Sequence, residues 1–310
     1  MKVLLTGGSG FVGREILRQL HSEGHVIRLL SRDCASAQRL QQKLNLPFEF
    51  RQGDVLEAAS LAGTMTGVEA VIHLVGIIRE FRENRFERVH TGGTRNLVDA
   101  AQQAGVARFV HMSALGTRPA AKSRYHQSKW AAEEIVRGSG LQWTILRPSI
   151  IYGPEDEFVN LFARMAGFSP ILPVMGDGCA KLQPIAVPLV ARCFVGALTQ
   201  PASIRKEFEL CGPQALSFND VLKTILQVLG KRRALIHLPM RLARIQACLM
   251  EWVFPLLLRQ PSPLNRDQLL MLQEDNTGNP DDSTKLFGLK PTSFKEGISA
   301  YLHGPSKARN

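Results

Sequence analysis

The sequence has few cysteines, and their arrangement suits neither a disulfide framework nor a zinc site. The 310 residues include five cysteines, an odd number, and no two of them form a C-x-x-C pair. Scattered cysteines of this kind are typical of a reducing compartment. We therefore expect a cytoplasmic protein that has no metal site.

The sequence also lacks a hydrophobic run that would cross a bilayer. The most apolar late stretch, residues 245–258, is interrupted by Glu251 and Pro255, and a spanning helix needs about 20 apolar residues. A strand-like run begins at Lys2, so no signal peptide is expected. With 45% apolar and 21% charged residues, the chain is expected to be a soluble globular protein with a substantial core.

Acidic residues are scarce relative to basic ones. The chain has 38 basic and 27 acidic residues, a net charge of +11, which favours anionic partners such as phosphorylated cofactors or an acidic membrane surface. The basic residues are dispersed, and the longest run is only 231–233. Neither an aromatic-and-basic RNA-binding pattern nor helix-turn-helix spacing accompanies them, so no nucleic-acid partner is expected.

Strand and helix patterns alternate in the first half of the chain. Near-continuous apolar strands separated by amphipathic helices indicate a parallel sheet covered on both faces, which leads to a doubly wound fold. We therefore predict an α/β protein with a Rossmann-type NAD(P)-binding domain over residues 1–150. The predicted strands span residues 3–6, 26–30, 48–52, 70–75, 108–113 and 143–147, and the predicted helices 12–22, 35–43, 94–103 and 128–137.

The pattern changes after Pro148, where prolines and glycines become frequent. Residues 151–310 are expected to form a smaller, mainly helical substrate or closing lobe. One or two of its strands, at residues 182–187 and 207–210, are expected to return to the main sheet. Helices are predicted around residues 221–229, 242–253, 266–272 and 294–302.

Apolar residues recur three or four positions apart in one of these predicted helices. They are Leu242, Ile245, Leu249, Trp252 or Val253, and Leu256, with arginines nearby. This spacing favours the inner face of a helix in the lobe. A peripheral contact with an anionic membrane is the alternative interpretation.

A glycine-rich turn follows the first predicted strand and precedes a helix. Gly7, Gly10 and Gly13 have the spacing G-x-x-G-x-x-G. Glycine permits a tight turn and lets backbone N–H groups approach a pyrophosphate at the positive end of the helix. The strand-turn-helix context predicts a dinucleotide-binding site.

The end of the second strand indicates which dinucleotide is bound. An NAD site usually places an acid there, about twenty residues after the glycines. Here the strand ends in Ser31 and Arg32, with Asp33 late. A guanidinium and a hydroxyl suit a 2′-phosphate, so NADP(H) is preferred; NAD(H) remains the alternative, with Asp33 on the ribose.

Residues after the other strands complete the predicted cofactor site. Asp54 follows the third strand and is either an adenine contact or a turn cap. Gly76 ends the fourth strand and either leaves room for the ribose or nicotinamide or forms a plain strand-ending turn. His73 inside that strand is interpreted as a core histidine. The full predicted set is Gly7, Ser9, Gly10, Phe11, Val12, Gly13, Ser31, Arg32, Asp54, Val55, Val75, Gly76, Tyr125, Lys129 and Pro148.

A tyrosine and a lysine lie one helical turn apart near the start of a predicted helix. Tyr125 and Lys129 share a helix face, and Ser113 ends the fifth strand. A nearby cation stabilises the phenolate form of Tyr125 and so lowers the pKa of its hydroxyl towards the neutral pH at which an enzyme works. Ser113 would bind a substrate carbonyl or alcohol while Tyr125 and Lys129 exchange a proton. These three are the predicted catalytic residues.

Together these motifs resemble the extended or atypical short-chain dehydrogenases/reductases of the NAD-dependent epimerase/dehydratase superfamily. Within it, the chain most resembles the branch of the NADPH-binding accessory subunit of respiratory complex I and its bacterial relatives. The resemblance implies a Rossmann-type domain with tightly held NADP(H), in some members with a structural role. Its carriers are residues 5–13, 71–76, 89–96, 109–116, 144–148, 152–156 and 183–185.

Two functions follow as hypotheses. The first is an NADP(H)-dependent oxidoreductase or epimerase/dehydratase-like enzyme acting on a small carbonyl or alcohol through Ser113, Tyr125 and Lys129. The second is a non-catalytic accessory or assembly protein that binds the cofactor as part of a larger complex. The substrate is not identified by the sequence, and a protein complex or a peripheral membrane contact remains open as a partner.

Overall fold

The computed structural model describes residues 1–302, and its largest sheet there has seven strands. The strands of this part of the chain are β1 (Lys2–Thr6), β2 (Val26–Ser31), β3 (Glu49–Gln52), β4 (Ala70–His73), β5 (Arg108–Met112), β6 (Gln142–Pro148), β7 (Ile151–Tyr152), β8 (Ile171–Met175), β9 (Lys181–Leu182), β10 (Ile185–Ala186), β11 (Lys206–Leu210), β12 (Leu216–Ser217) and β13 (Ala234–Leu238). In the large sheet the order is β11-β6-β5-β4-β1-β2-β3, and the six strands from the first half of the chain pair in parallel.

Eleven α-helices accompany these strands within residues 1–302. They are α1 (Phe11–Ser22), α2 (Cys34–Leu44), α3 (Gly93–Gln103), α4 (Arg124–Gly138), α5 (Phe158–Phe168), α6 (Val187–Thr199), α7 (Phe218–Val228), α8 (Met240–Val253), α9 (Arg266–Met271), α10 (Asp281–Phe287) and α11 (Phe294–Leu302). Wider π-type turns at Glu87–Gly92 and Phe254–Leu258 lead into α3 and continue α8. The predicted Rossmann-type α/β fold is confirmed.

The central strands are apolar because both faces of the sheet are covered. Leu4, Leu5, Ile72 and Phe109 are fully buried, as parallel strands between two helix layers require. The strand order reverses between β1 and β4. Ligands of such sheets bind beyond the carboxyl ends of the strands at this reversal.

The chain forms two compact units. The first comprises residues 1–148, 188–209 and 281–289, and the second comprises residues 149–187, 210–280 and, within the described part of the chain, 290–302. The second unit has a core of its own, in which Val221, Leu222 and Ile225 of α7 pack with Val159 and Ile298. Residues 188–209 and 281–289 thus group with the first half of the chain.

The two strands expected to return to the main sheet have different outcomes. Lys206–Leu210 forms β11 and joins the sheet beside β6. Residues 182–187 do not join it, because Gln183 and Pro184 separate two short strands, β9 and β10, that pair elsewhere. Proline has no backbone N–H to donate to a ladder, and Val187 already begins α6.

The expectation that α8 turns its large apolar residues inward is wrong. Its buried residues are the small Ala243 and Ala247. Its large apolar side chains are exposed, together with those of the turn that follows: Leu242, Ile245, Leu249, Trp252, Val253, Leu256, Leu257 and Leu258. Among residues 1–302, no helix combines the length and the apolar character that crossing a bilayer requires.

Candidate functional site

A cleft of about 440 Å³ lies beyond the carboxyl ends of β1, β2, β3 and β4. Nine of the predicted cofactor residues line it: Gly7, Ser9, Gly10, Ser31, Arg32, Asp54, Val55, Val75 and Gly76. Phe11, Val12 and Gly13 form the first turn of α1, and Pro148 ends β6. The cleft therefore unites residues from four separate loops of the first unit.

The glycine turn has the shape that a close approach of a pyrophosphate needs. Gly7 has a φ of +75°, and the Gly10 N–H donates to the Gly7 carbonyl at 3.1 Å. A Cβ atom at Gly13 would collide with the Gly7 carbonyl oxygen and lie 2.5 Å from the Gly8 Cα atom. Backbone therefore fills the space that a side chain would occupy, and α1 packs directly on the turn.

The amino terminus of α1 is open towards this cleft. Gly10 caps the helix without a side-chain hydrogen bond, and the first turn holds no acidic residue. The N–H groups of such a terminus attract an anion, and the helix dipole adds to the attraction. The backbone of the turn thus fits the diphosphate of a dinucleotide.

The residues that follow β2 are the cation Arg32 and the carboxylate Asp33. Arg32 is exposed on the cleft, whereas Asp33 caps α2. The Arg32 side chain is exposed and makes no hydrogen bond or ion pair to any residue between 1 and 302. Asp33 caps α2, accepting from the N–H groups of Ala35 at 3.0 Å and Ser36 at 3.1 Å. The Ser36 hydroxyl and these N–H groups lower the pKa of Asp33.

Asp54 caps the turn after β3, one of the two roles that the sequence left open. Its Oδ1 atom accepts the Leu56 N–H at 3.0 Å. Asn96 of α3 holds the same loop by donating its side-chain amide to the Val55 carbonyl at 2.8 Å. Because Asp54 and Val55 also line the cleft, these contacts fix the shape of its wall.

The Lys129 ammonium connects the cleft wall to the end of β5. Lys129 is buried in α4 and donates to the Met112 carbonyl at 3.0 Å. A Cβ atom at Gly76 would lie 3.0 Å from Lys129 Nζ, so the cation stands directly behind Gly76. Burial lowers the pKa of Lys129 to about 8, and the charge of Glu133 opposes this shift.

Ser113 and Tyr125 belong to the same unit as Lys129. Ser113 is buried and follows Met112, the residue that accepts from Lys129. Tyr125 lies in the first turn of α4, which Ser123 caps by accepting the His126 N–H at 3.2 Å. Burial raises the pKa of Tyr125 to about 12, so its hydroxyl is a phenol at neutral pH.

His90 supports Tyr125 and was missed by the sequence analysis. The Ile77 N–H donates to His90 Nε2 at 3.0 Å, so Nδ1 carries the proton and donates to the Ser128 hydroxyl at 2.8 Å. Ser128 in turn donates to the Tyr125 carbonyl at 2.7 Å. The rings of His90 and Tyr125 meet edge to face with centroids 5.4 Å apart. Burial, with the charge of Lys129, lowers the pKa of His90 to about 2.

His73 is a core histidine, as its apolar strand predicted. Its Nδ1 atom bonds to the Thr6 hydroxyl at 2.8 Å, and its Nε2 atom to the Thr94 hydroxyl at 3.1 Å. Burial lowers its pKa to about 3. His73 is therefore neutral and joins β1, β4 and α3.

This geometry agrees with comparisons to known proteins. A family model described as NAD(P)H-binding matches residues 7–162, which contain the glycine turn, the cleft and α4. The chain belongs to this family. In this NAD(P)H-binding protein, the cleft beside the glycine turn is the site whose backbone and side chains fit the cofactor.

Two relatives extend the similarity beyond the family model. The chain is 29% identical over 284 residues to the mitochondrial NADH dehydrogenase (ubiquinone) 1 alpha subcomplex subunit 9 of Arabidopsis thaliana, covering 87% of this chain and 69% of the relative. It is 32% identical over 244 residues to ceramide reductase of Caulobacter vibrioides, covering 76% and 73%. The predicted resemblance to the complex I accessory-subunit branch is confirmed.

Solved structures show the same fold at lower identity. The UDP-glucose 4-epimerase of Thermotoga maritima superimposes with a TM-score of 0.74 at 17% identity, covering 97% of each chain. The NAD(P)H-binding protein therefore shares its fold with the epimerases, as the resemblance implied.

Proposed function

We propose that this protein is an NADP(H)-dependent oxidoreductase or epimerase-type enzyme acting on a small carbonyl or alcohol. The observation that carries the proposal is the position of Lys129, whose ammonium stands behind Gly76 of the cleft and donates to Met112 at the end of β5. The ammonium therefore lies between the wall of the cleft and the end of β5, where Ser113 follows Met112 in the sequence. The bound cofactor would supply or accept the hydride.

The three polar side chains would handle the substrate oxygen and its proton. Ser113 would donate a hydrogen bond to the carbonyl oxygen, and Tyr125 would transfer its phenolic proton to that oxygen as the alcohol forms. Burial raises the pKa of Tyr125 to about 12, so the phenol is the resting form and carries the proton that carbonyl reduction consumes. Lys129 would hold the ribose hydroxyls.

The preference for NADP(H) is supported by the different environments of Arg32 and Asp33 after β2. Asp33 also lines the cleft, but its carboxylate already accepts from the N–H groups at the start of α2, and these contacts compete with ribose hydroxyls. Arg32 is exposed on the cleft. A guanidinium there would bind two oxygens of a 2′-phosphate through a bidentate pair of hydrogen bonds.

A non-catalytic accessory role is the second candidate function. The Arabidopsis thaliana relative is by name a subunit of NADH dehydrogenase. In addition, burial moves the Tyr125 pKa upward, away from the range of an efficient base. In this role the bound cofactor would stabilise the folded chain without taking part in a reaction.

Oxidation of NADPH in the presence of a carbonyl panel tests the proposal. The panel contains short aldehydes and ketones together with a long-chain ketone, because one relative is by name a ceramide reductase. We expect turnover that Tyr125→Phe abolishes without weakening NADPH binding, since phenylalanine keeps the ring contacts to Phe86 and His90. If NADPH stays bound and unoxidised with every carbonyl while a partner co-purifies, the accessory role is favoured.

A further inference from the structure

The second unit carries a large exposed apolar surface on α8 and the turn that follows it. We call it the α8 surface. Trp252 and Leu256 are each 74% exposed, and Leu257 is 71% exposed. Its members are Leu242, Ile245, Leu249, Trp252, Val253, Leu256, Leu257 and Leu258. A contiguous apolar surface of this size marks an interaction site.

The distribution of side-chain size around α8 identifies the surface as a built feature. Ala243 and Ala247 face the neighbouring core with Leu269. Leu242, Ile245 and Leu249, at spacings of three and four, lie on the opposite face and are exposed. Folding stability alone favours the reverse, with large apolar residues buried and small ones outside.

Positive charge borders this surface. Within α8 and the turn that follows it, residues 240–259, the chain has three arginines and one acidic residue. Arg241, Arg244 and Arg259 are exposed, whereas the acidic residue, Glu251, is engaged by Arg266 at 2.8 Å. The local excess of positive charge is complementary to an anionic partner.

The last three residues of the α8 surface indicate whether its partner is a lipid bilayer or a groove on another protein. Leu256, Leu257 and Leu258 are consecutive and all exposed. A groove that receives a helix contacts one stripe of residues three or four apart, so it would leave at least one of these leucines outside. The acyl region of a bilayer accepts apolar side chains from every side of the turn.

From these observations we propose that the α8 surface docks this protein on an anionic lipid bilayer. The helix lies in the interface, its leucines and Trp252 enter the acyl boundary, and Arg241 and Arg244 remain at the level of the headgroups. The headgroups supply the negative charge. The protein binds one leaflet peripherally in this arrangement.

Vesicle flotation of the full chain tests the proposal. We expect the protein to float with vesicles of phosphatidylcholine and phosphatidylglycerol, and more weakly with phosphatidylcholine alone. Leu256→Ser with Leu257→Ser should weaken partitioning more than roughly tenfold, and Arg241→Glu with Arg244→Glu roughly tenfold. Trp252 fluorescence should be quenched by lipids brominated in their acyl chains, and Trp252→Phe should remove that quenching.

Matched controls separate docking from general stickiness. Phe168, 81% exposed, precedes β8 at the end away from α8, so Phe168→Ser should leave flotation unchanged. Arg51 is exposed on β3 of the first unit. Arg51→Glu is the control for the two arginine substitutions and should also leave flotation unchanged. All of these side chains are exposed, and unchanged unfolding midpoints verify that the variants fold.

Two results would overturn the proposal. One is flotation that the double leucine substitution does not change. The other is a protein that does not float but forms a concentration-dependent dimer, which the same substitution disrupts in light scattering; the occupant of the surface would then be a second copy of the chain.

Discussion

The ammonium of Lys129 lies 3.0 Å from the position that a Cβ atom would take at Gly76. The same ammonium donates to the Met112 carbonyl at 3.0 Å. One buried cation therefore touches both the wall of the dinucleotide cleft and the end of the strand that leads to Ser113. This position depends on the absence of a side chain at Gly76.

Gly76→Ala is expected to move this cation. The methyl group would also lie 3.4 Å from His90 Nε2, so Lys129, the flexible neighbour, shifts first. We expect NADPH binding to weaken roughly tenfold, a binding free-energy change of about 1.4 kcal/mol, while overpacking costs about 1 kcal/mol of unfolding free energy. Fluorescence titration and denaturant unfolding measure the two effects.

Gly138→Ala is the matched control for this substitution. Among residues 1–302, nothing beyond its chain neighbours and the backbone of its own helix lies within 4 Å of a Cβ placed at Gly138, which ends the same helix, α4. NADPH binding should stay unchanged in this variant, and the unfolding free energy should stay the same or rise by up to about 1 kcal/mol, because alanine loses less backbone entropy than glycine when a helix forms. A Gly76→Ala protein that binds NADPH normally would show that Lys129 does not need its present position.

The first half of the fold could be predicted because its signals are local. The glycines of the turn, the apolar strands and the amphipathic helices each lie within a short window of sequence, and the observed elements begin and end within a few residues of the expected positions. Helix α4 is the largest exception, since it begins at Arg124, four residues early. Ser123 caps it, a signal that the helical periodicity alone did not reveal.

Two features could not be predicted from the sequence for physical reasons. His90 and Ser128 are 38 residues apart, and only the packing of α4 beside the turn before α3 brings them together. For α8, the spacing of Leu242, Ile245 and Leu249 shows that they share a face. It does not show whether another element covers that face, because coverage is a property of the tertiary structure.

Arg32→Ala is expected to change which dinucleotide the protein prefers. Loss of a charge-assisted contact with the 2′-phosphate should weaken NADPH binding by about 2 kcal/mol, or roughly thirtyfold, and leave NADH binding nearly unchanged. Isothermal titration with both cofactors measures the difference. Arg18→Ala, on the exposed face of α1 where Arg18 pairs with Glu15, should alter neither.

Asp33→Ala separates the two interpretations of the acid next to Arg32. Asp33 caps α2, so its loss should cost about 1 kcal/mol of unfolding free energy and leave NADH binding unchanged. If this variant loses NADH affinity while Arg32→Ala retains NADPH affinity, Asp33 binds the ribose and the preference is for NAD(H).

His111→Leu is expected to make the protein more resistant to acid. His111 is buried, neither ring nitrogen has a hydrogen-bond partner within residues 1–302, and burial holds its pKa well below the usual value. The unfolded chain binds a proton here below pH about 6.5 and the folded chain does not. Stability is thus lost as the pH falls from 6.5, by about 1.4 kcal/mol per unit for this residue.

The leucine variant should therefore show a shallower loss of stability between pH 6.5 and 5, measured by denaturant unfolding at several pH values. His73→Leu, at the paired position of the neighbouring strand, is the matched comparison. It should flatten the same slope but cost about 1–3 kcal/mol at pH 7, because Thr6 and Thr94 lose their partner. Equal pH slopes in wild type and His111→Leu would contradict the prediction.

Glu133→Gln is expected to destabilise the fold and to shift the titration of Lys129. Glu133 is fully buried one turn beyond Lys129, and it accepts from Arg147 Nε at 2.8 Å and pairs with Arg137 at 2.5 Å. Removal of one charge from such a group costs about 3 kcal/mol of unfolding free energy. The carboxylate of Glu134 is exposed and pairs with the Arg137 side chain, so Glu134→Gln should change stability by less than about 1 kcal/mol.

The same variant, Glu133→Gln, should change the pH dependence of NADPH binding. The charge of Glu133 raises the pKa of Lys129, so in Glu133→Gln the Lys129 ammonium should lose its proton, and NADPH binding should decline, at a lower pH than in the wild type. If NADPH binding declines at the same pH in Glu133→Gln and in the wild type, Lys129 is not the group that titrates.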